Sequence, residues 1–182
     1  MRPTETLKHE HQVILRVLDA AEREAQAMQE RAEVRAERIE DMLDFFRNFA
    51  DRCHHAKEED LLFIRMEERG VPAHTGPIAV MLHEHDQGRQ HLKAIVEALP
   101  RAEEGESPAV EAVRGHLLAY VRMLRAHIGK EDNILYPLAD RVFRPQDQQS
   151  LTEAFERVEA EEIGEGVHEK YHQLARELVE AK

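Results

Sequence analysis

Apolar residues recur along this chain at the i, i+3, i+4, i+7 spacing of a single helix face, in four long stretches. From about Pro3 to Gln29 the stripe runs through Leu7, His11, Ile14, Leu15 and Leu18. From about Ala32 to Arg69 it runs through Leu43, Phe46, Ala50, His54, Glu58 and Leu61. The third, about Gly76 to Leu99, carries Ile78, Met81, Leu82, His85, Leu92, Val96 and Leu99. The fourth, about Pro108 to Arg141, carries Val113, Leu117, Tyr120, Leu124, His127, Glu131, Ile134 and Leu138. Strand-like alternation is absent. Glycine and proline are sparse and punctuate the pattern at Gly70 with Pro72, Gly76-Pro77, Pro100 through Pro108, Pro145, and Gly164 to Gly166. Ser107-Pro108 reads as a helix start, with Ser107 as N-cap. Two shorter helices are expected over about Gln146–Glu162 and Gly166–Ala181. Short connections between long amphipathic helices predict an all-α fold, an up-down-up-down four-helix bundle over residues 1–144. A C-terminal helical extension, 145–182, packs on it.

Polar residues interrupt each stripe, and they do so in a repeated way. His54-His55-Ala56-Lys57-Glu58-Glu59-Asp60-Leu61-Leu62-Phe63 is echoed by His127-Ile128-Gly129-Lys130-Glu131-Asp132-Asn133-Ile134-Leu135-Tyr136. Both copies read His-x-x-x-Glu, an acid, then an apolar end with an aromatic. His9-Glu10-His11 is echoed likewise by His83-Glu84-His85. Each long helix thus aims one histidine at the core, and the second and fourth add a glutamate each. A buried carboxylate without a partner is very costly, so two of them among four imidazoles point to a cation. The doubling suits a symmetric two-metal site. His9 and His83 lie two residues from the stripe and face away from it. His55 is similarly out of line with Glu58. Glu10 and Glu84 sit about 100° off the ligand row, where a carboxylate can orient a ligand imidazole from outside. Arg89, one turn beyond His85, is placed to pair with a carboxylate at the bundle end or to neutralise an anionic ligand.

Composition narrows the classes. A net charge of −12 over 182 residues argues against nucleic acid and anionic membranes as partners. No apolar run approaches the length of a membrane span, and no basic-then-apolar leader opens the chain. The single cysteine, Cys53, suits a reducing cytoplasm and reads as a small buried side chain. Twelve histidines are many for this length and favour metal. His168-Glu169-Lys170-Tyr171-His172 matches the helix signature of zinc proteases, but no third ligand or substrate-binding strand accompanies it. It reads as an exposed charged helix packed by Val167, Tyr171, Leu174 and Leu178. Glu-x-x-His occurs only at Glu165/His168 and Glu169/His172, both outside the bundle core, so a ferritin-like centre is disfavoured.

Over about residues 3–140 the pattern resembles the hemerythrin-like proteins, the HHE cation-binding domain. His11, the His54/Glu58 pair, the Glu84-His85-x-x-x-Arg89 segment and the His127/Glu131 pair fall in the family's order. The resemblance implies two iron ions with an oxo or hydroxo bridge. His11, His54, His85 and His127 would be ligands, with Glu58 and Glu131 bridging and Glu10, Glu84 and Arg89 in an outer shell. Six such ligands suit two higher-coordinate metals better than tetrahedral zinc, with manganese the runner-up to iron. One departure bears on function. Oxygen-carrying members have a His-x-x-x-His pair on the third helix; here Met81 precedes His85 by four and Arg89 follows by four. With two histidines each, both metals would keep an open position. That set is similar to the iron-centre repair proteins, which carry an added N-terminal cysteine-bearing domain, whereas this chain opens almost directly on its first ligand helix. Three functions are implied: binding or sensing of a small diatomic ligand, dioxygen or nitric oxide; reduction of nitric oxide, peroxide or dioxygen with electrons from a redox partner; and iron handling or iron-sulfur repair.

Overall fold

The computed structural model describes residues 1–163 and 166–180 (of 161–163 and 168 the backbone alone), and among these every regular element is helical. Helix α1 is Pro3–Arg31, and α2 runs unbroken over 36–68. Helix α3 is Gly76–Glu103, and α4 runs unbroken over 107–142. Helix α5 is Pro145–Arg157, continued by the π-helical turns Val158–Ile163, and α6 is Val167–Glu180. None is long and apolar enough to cross a membrane.

Neighbouring helices run antiparallel, as paired contacts of opposite register show. Along α1 and α2, Glu10 meets His54 and Lys57 while Glu24 meets Arg35. Along α3 and α4, Glu84 meets His127 while His91 meets His116. Between α1 and α4, Thr4 meets Asp140 while Asp19 meets Arg125. Two of the reversals use the same device. Gly70 (φ +89°) ends α2 with Val71 N–H bonded to the Met66 carbonyl, and Gly105 (φ +83°) ends α3 with Glu106 N–H bonded to the Arg101 carbonyl. A left-handed residue one past the helix cap is where glycine carries no steric penalty.

Boundaries follow the sequence pattern with three differences. Helix α2 begins at Ala36 and not at about Ala32, which is the left-handed C-cap of α1 (φ +55°). Ser107 is the first helical residue and Glu106 holds the cap position, so Ser107 makes no N-cap bond. Pro100 does not end α3, which continues to Glu103. The hydrogen bond proline removes belongs to the Val96 carbonyl, and both residues lie on the solvent side, where water can replace it.

The core is two apolar clusters separated by a polar layer. One cluster packs Val17, Phe45, Phe46, Phe49, Ile95, Tyr120 and their neighbours; the other packs Leu7, Leu62, Phe63, Met66, Ile78, Met81, Leu135 and Tyr136. Histidines and glutamates of all four long helices fill the level between. Helix α5 adds Leu151 and Phe155 to the second cluster, and α6 adds Tyr171, Ala175 and Leu178 to the first. Arg38 of α2 donates to the Leu178 carbonyl at 2.9 Å. Val13 and Glu10 of α1 are therefore buried as well, on a wider face than one bundle contact requires.

Widened turns decide which side chains reach the polar layer. In α2 the segments Phe46–His55 and Glu58–Leu62 are π-helical, as is Glu131–Leu135 in α4. On an ideal α-helix a strict four-residue repeat drifts about 40° per step. The i→i+5 turns absorb that drift, so Phe46, Ala50, His54, Glu58 and Leu62 are all buried. The same widening overturns part of the sequence reading. Past Glu131 the inward position passes to Leu135 and Tyr136, and Ile134 is 56% exposed. Past Glu58 it passes to Leu62, leaving Leu61 half-buried. Val96 of α3 is also exposed, because α2 and α3 stand apart there and leave a cleft of about 970 Å³.

Candidate metal centre

Each of the four sequence-predicted histidines holds a carboxylate at Nδ1. His11 donates to Asp132 at 2.9 Å and His54 to Glu10 at 2.7 Å. His85 donates to Glu59 at 2.6 Å and His127 to Glu84 at 2.9 Å. A carboxylate can only accept here, so each bond fixes the tautomer and leaves a lone pair on Nε2. Those Nε2 atoms converge in pairs: His11 and His54 at 3.0 Å, His85 and His127 at 3.0 Å. Between the pairs lie the glutamates. Glu131 brings one oxygen to 3.2 Å from His11 Nε2 and the other to 3.0 Å from His127 Nε2. Glu58 Oε2 lies 3.4 Å from His85 Nε2 and 3.8 Å from His54 Nε2. Glu58 and Glu131 are wholly buried, and Glu58 Oε2 and both Glu131 oxygens lack a hydrogen-bond donor.

Lone pairs facing lone pairs and orphaned carboxylate oxygens need positive charge between them. With protons alone as that charge, burial opposes protonation of His11, but Asp132 and Glu131 lift its pKa to about 9. Burial likewise opposes the charge on His85, and Glu58 and Glu59 lift it to about 9. Burial would raise Glu131, yet His127 and His11 hold it well below the usual carboxylate range. The donor set fits metal cations. Imidazole nitrogens and carboxylate oxygens from His55, Glu58, His85 and His127 gather within 4.8 Å of one another, as do those of His11, His54 and Glu131.

Glu10 and Glu84 each accept from the histidine of the following helix rather than from their own neighbour. Buried Lys57 bonds Glu10 and also Glu159 at 2.7 Å, and Lys130 bonds Glu84. Against its burial, the bond to His54 and the charge of Lys57 hold Glu10 at a pKa of about 2. Arg89 pairs with carboxylates: Asp51 at 2.8 Å and Glu59 at 2.7 Å. His9 and His83 face solvent. Cys53 is buried, and burial pushes its thiol up to about 12.

Four residues carry roles the sequence reading did not assign. Asp132 and Glu59 orient His11 and His85; their signal was the acid that follows each His-x-x-x-Glu. Tyr136 donates its hydroxyl to Glu58 Oε1 at 2.6 Å and lies 3.3 Å from His11 Nε2. Simple periodicity puts His55 out of line with Glu58, yet it is 5% exposed and stacks on His85 at 3.9 Å. The π-helical turns of α2 bring it inward, and no periodicity announces them. In α6, Tyr171 packs against Phe45 and Phe49. Glu165 and the His168 side chain lie outside the described residues.

Comparison with known proteins agrees with this geometry. Uncharacterized proteins of Mycobacterium bovis and Mycobacterium tuberculosis are each 26% identical to the chain over 161 residues, 88% of its length. The chain spans 62% of the length of these curated relatives. No solved structure matches it. The family model for the hemerythrin HHE cation-binding domain matches residues 2–139, which include every histidine and glutamate of the polar layer, and the chain belongs to that family.

Proposed function

We propose that this protein is a di-iron protein that binds or reacts with dioxygen or nitric oxide inside an up-down-up-down four-helix bundle. The bundle occupies residues 1–144, and 145–182 form an extension packed on it. His11, His54, His85 and His127 would hold the metals, with Glu58 and Glu131 between them. One observation carries the reading: four imidazoles, each with Nδ1–H committed to a carboxylate, turn Nε2 toward two buried glutamates with donor-less oxygens. Nitrogen and carboxylate donors in this number suit iron, with manganese second.

Reduced iron would supply the electrons and the coordination chemistry for the diatomic ligand. The chain's own residues do the rest. Glu10, Glu59, Glu84 and Asp132 keep each imidazole in one tautomer and orientation. The Tyr136 hydroxyl holds one oxygen of Glu58 and keeps the other turned inward. The apolar clusters above and below exclude water from the layer. A reducing cytoplasm, which the buried lone thiol of Cys53 suits, would keep the ferrous form within reach of a redox partner.

The test is metal content of the purified protein together with its optical spectrum before and after anaerobic reduction and addition of nitric oxide. Two irons per chain and a nitrosyl spectrum on reduction are expected. Release of nitrous oxide would assign turnover, and a stable nitrosyl would assign sensing. One zinc per chain, or no metal, would overturn the reading.

A further inference from the structure

His55 carries the same fittings as the four expected ligands. Its Nδ1 donates to Asp51 at 3.3 Å, which leaves the lone pair on Nε2. That Nε2 is buried and has no hydrogen-bond partner, which a native structure rarely leaves unexplained. The ring stacks on His85 at an interplanar angle of 17°, so the two imidazoles lie face to face. The donor group it joins comprises Glu58, His85 and His127. Asp51 is itself held by Arg89, whose guanidinium also binds Glu59, the carboxylate on His85. One cation thus anchors the outer carboxylates of two adjacent rings.

The matching place in the other half is filled with hydrocarbon. By the doubled motif, His55 corresponds to Ile128, Asp51 to Leu124 and Arg89 to Leu15. Ile128 and Leu124 are buried, and Leu15 packs against the same apolar cluster. The fold therefore closes this position with three apolar side chains in one half. In the other half an Arg89–Asp51–His55 chain ends on an unpartnered nitrogen.

We infer that His55 is a fifth imidazole ligand, completing a three-histidine set with His85 and His127 while His11 and His54 form a two-histidine set. The inference deepens the proposed di-metal reading and rests on it. It makes the two positions unequal, so the expectation of two equally open metals falls. Asp51 and Arg89 become positioning residues for His55.

The full-length chain, freed of metal and loaded anaerobically with Co(II) alone, provides the test. Each coordinated histidine with Nδ1–H on a carboxylate should give one hyperfine-shifted, solvent-exchangeable proton signal. Two cobalts and five such signals are expected. His55→Gln should remove one signal and weaken one cobalt at least about tenfold while keeping the other. Free imidazole added to His55→Gly should restore the affinity. Four signals in the wild-type chain with two cobalts bound would overturn the role of His55 and leave the di-metal reading standing. A single bound cobalt whose signals drop by one in His55→Gln would uphold His55 and overturn the two-metal reading. Should His55→Gln fail to fold, the wild-type count of five against four decides.

Discussion

The α1/α2 half and the α3/α4 half of the polar layer repeat one another contact by contact. Glu10 on His54, backed by Lys57, matches Glu84 on His127, backed by Lys130. Asp132 on His11 matches Glu59 on His85. Tyr136 stacked on His11 at 5.5 Å matches Phe63 on His85 at 6.1 Å. Where the halves agree, the shared requirement is orientation of an imidazole by a charged acceptor, which any metal at either position needs. They differ at three places. His55, Asp51 and Arg89 stand opposite Ile128, Leu124 and Leu15; the Tyr136 hydroxyl stands opposite the bare Phe63 ring; and Arg65 and Arg69 stand opposite Leu138 and Val142. The differences place extra polar groups beside His85, a hydroxyl on Glu58, and an anchor for α5 at one end of α2. The repeat is unequal at residues that line the polar layer or bond α5.

The largest effect is expected from removing a glutamate that faces both halves. Glu58→Ala and Glu131→Ala should each cost at least one metal ion per chain, read by elemental analysis. Equal retention of two ions by either variant would refute its bridging position. Next come the matched outer carboxylates. Asp132→Asn and Glu59→Gln should each weaken metal binding about 10- to 100-fold, and by similar factors if the halves are equivalent there. A metal titration of the apo chain compares them directly.

Removal of metal by chelation should lower the melting temperature by about 5–10 °C, the shift expected for losing about 2.7 kcal/mol of ligand-linked stability in a chain of this size. An unchanged melting point would mean that protons satisfy the buried carboxylates as well as a cation does. Acid should act in the same direction. Ligand imidazoles must be neutral, so metal is held at neutral pH and released as pH falls.

Tyr136→Phe makes the two aromatics alike. It should lower apo-protein stability by about 1–2 kcal/mol, because Glu58 Oε1 loses its donor, and leave metal stoichiometry unchanged. The smallest effect is expected at the third difference. Asp147 of α5 accepts from Arg69 at 2.7 Å and from Arg65 at 2.8 Å. The Arg69 bond, above all, holds its carboxyl well below the usual range. A depressed folded pKa stabilises above the unfolded value and loses that contribution as pH falls through the folded one. Since both arginines are partly exposed, Asp147→Asn should lower the melting point at pH 7 by only about 2–4 °C. The gap to wild type should close below about pH 4.

Much of this was legible in the sequence because it is local. Helical periodicity sets which residues share a face, so His11, His54, His85, His127, Glu58 and Glu131 stand out as polar residues on apolar stripes. The doubled His-x-x-x-Glu, with its lysine and trailing acid, announced two like half-sites. The breaks at Gly70 and Gly105 followed from the one residue type that turns left-handed without penalty. Tertiary structure decided the rest, for two physical reasons. Helix register across the bundle fixes which carboxylate meets which imidazole, so Glu10 serves His54 and not its neighbour His11. The π-helical turns shift the inward face by a residue, exposing Ile134 and burying Leu135. In α2 they turn His55, which simple periodicity left out of line, into the ring beside His85.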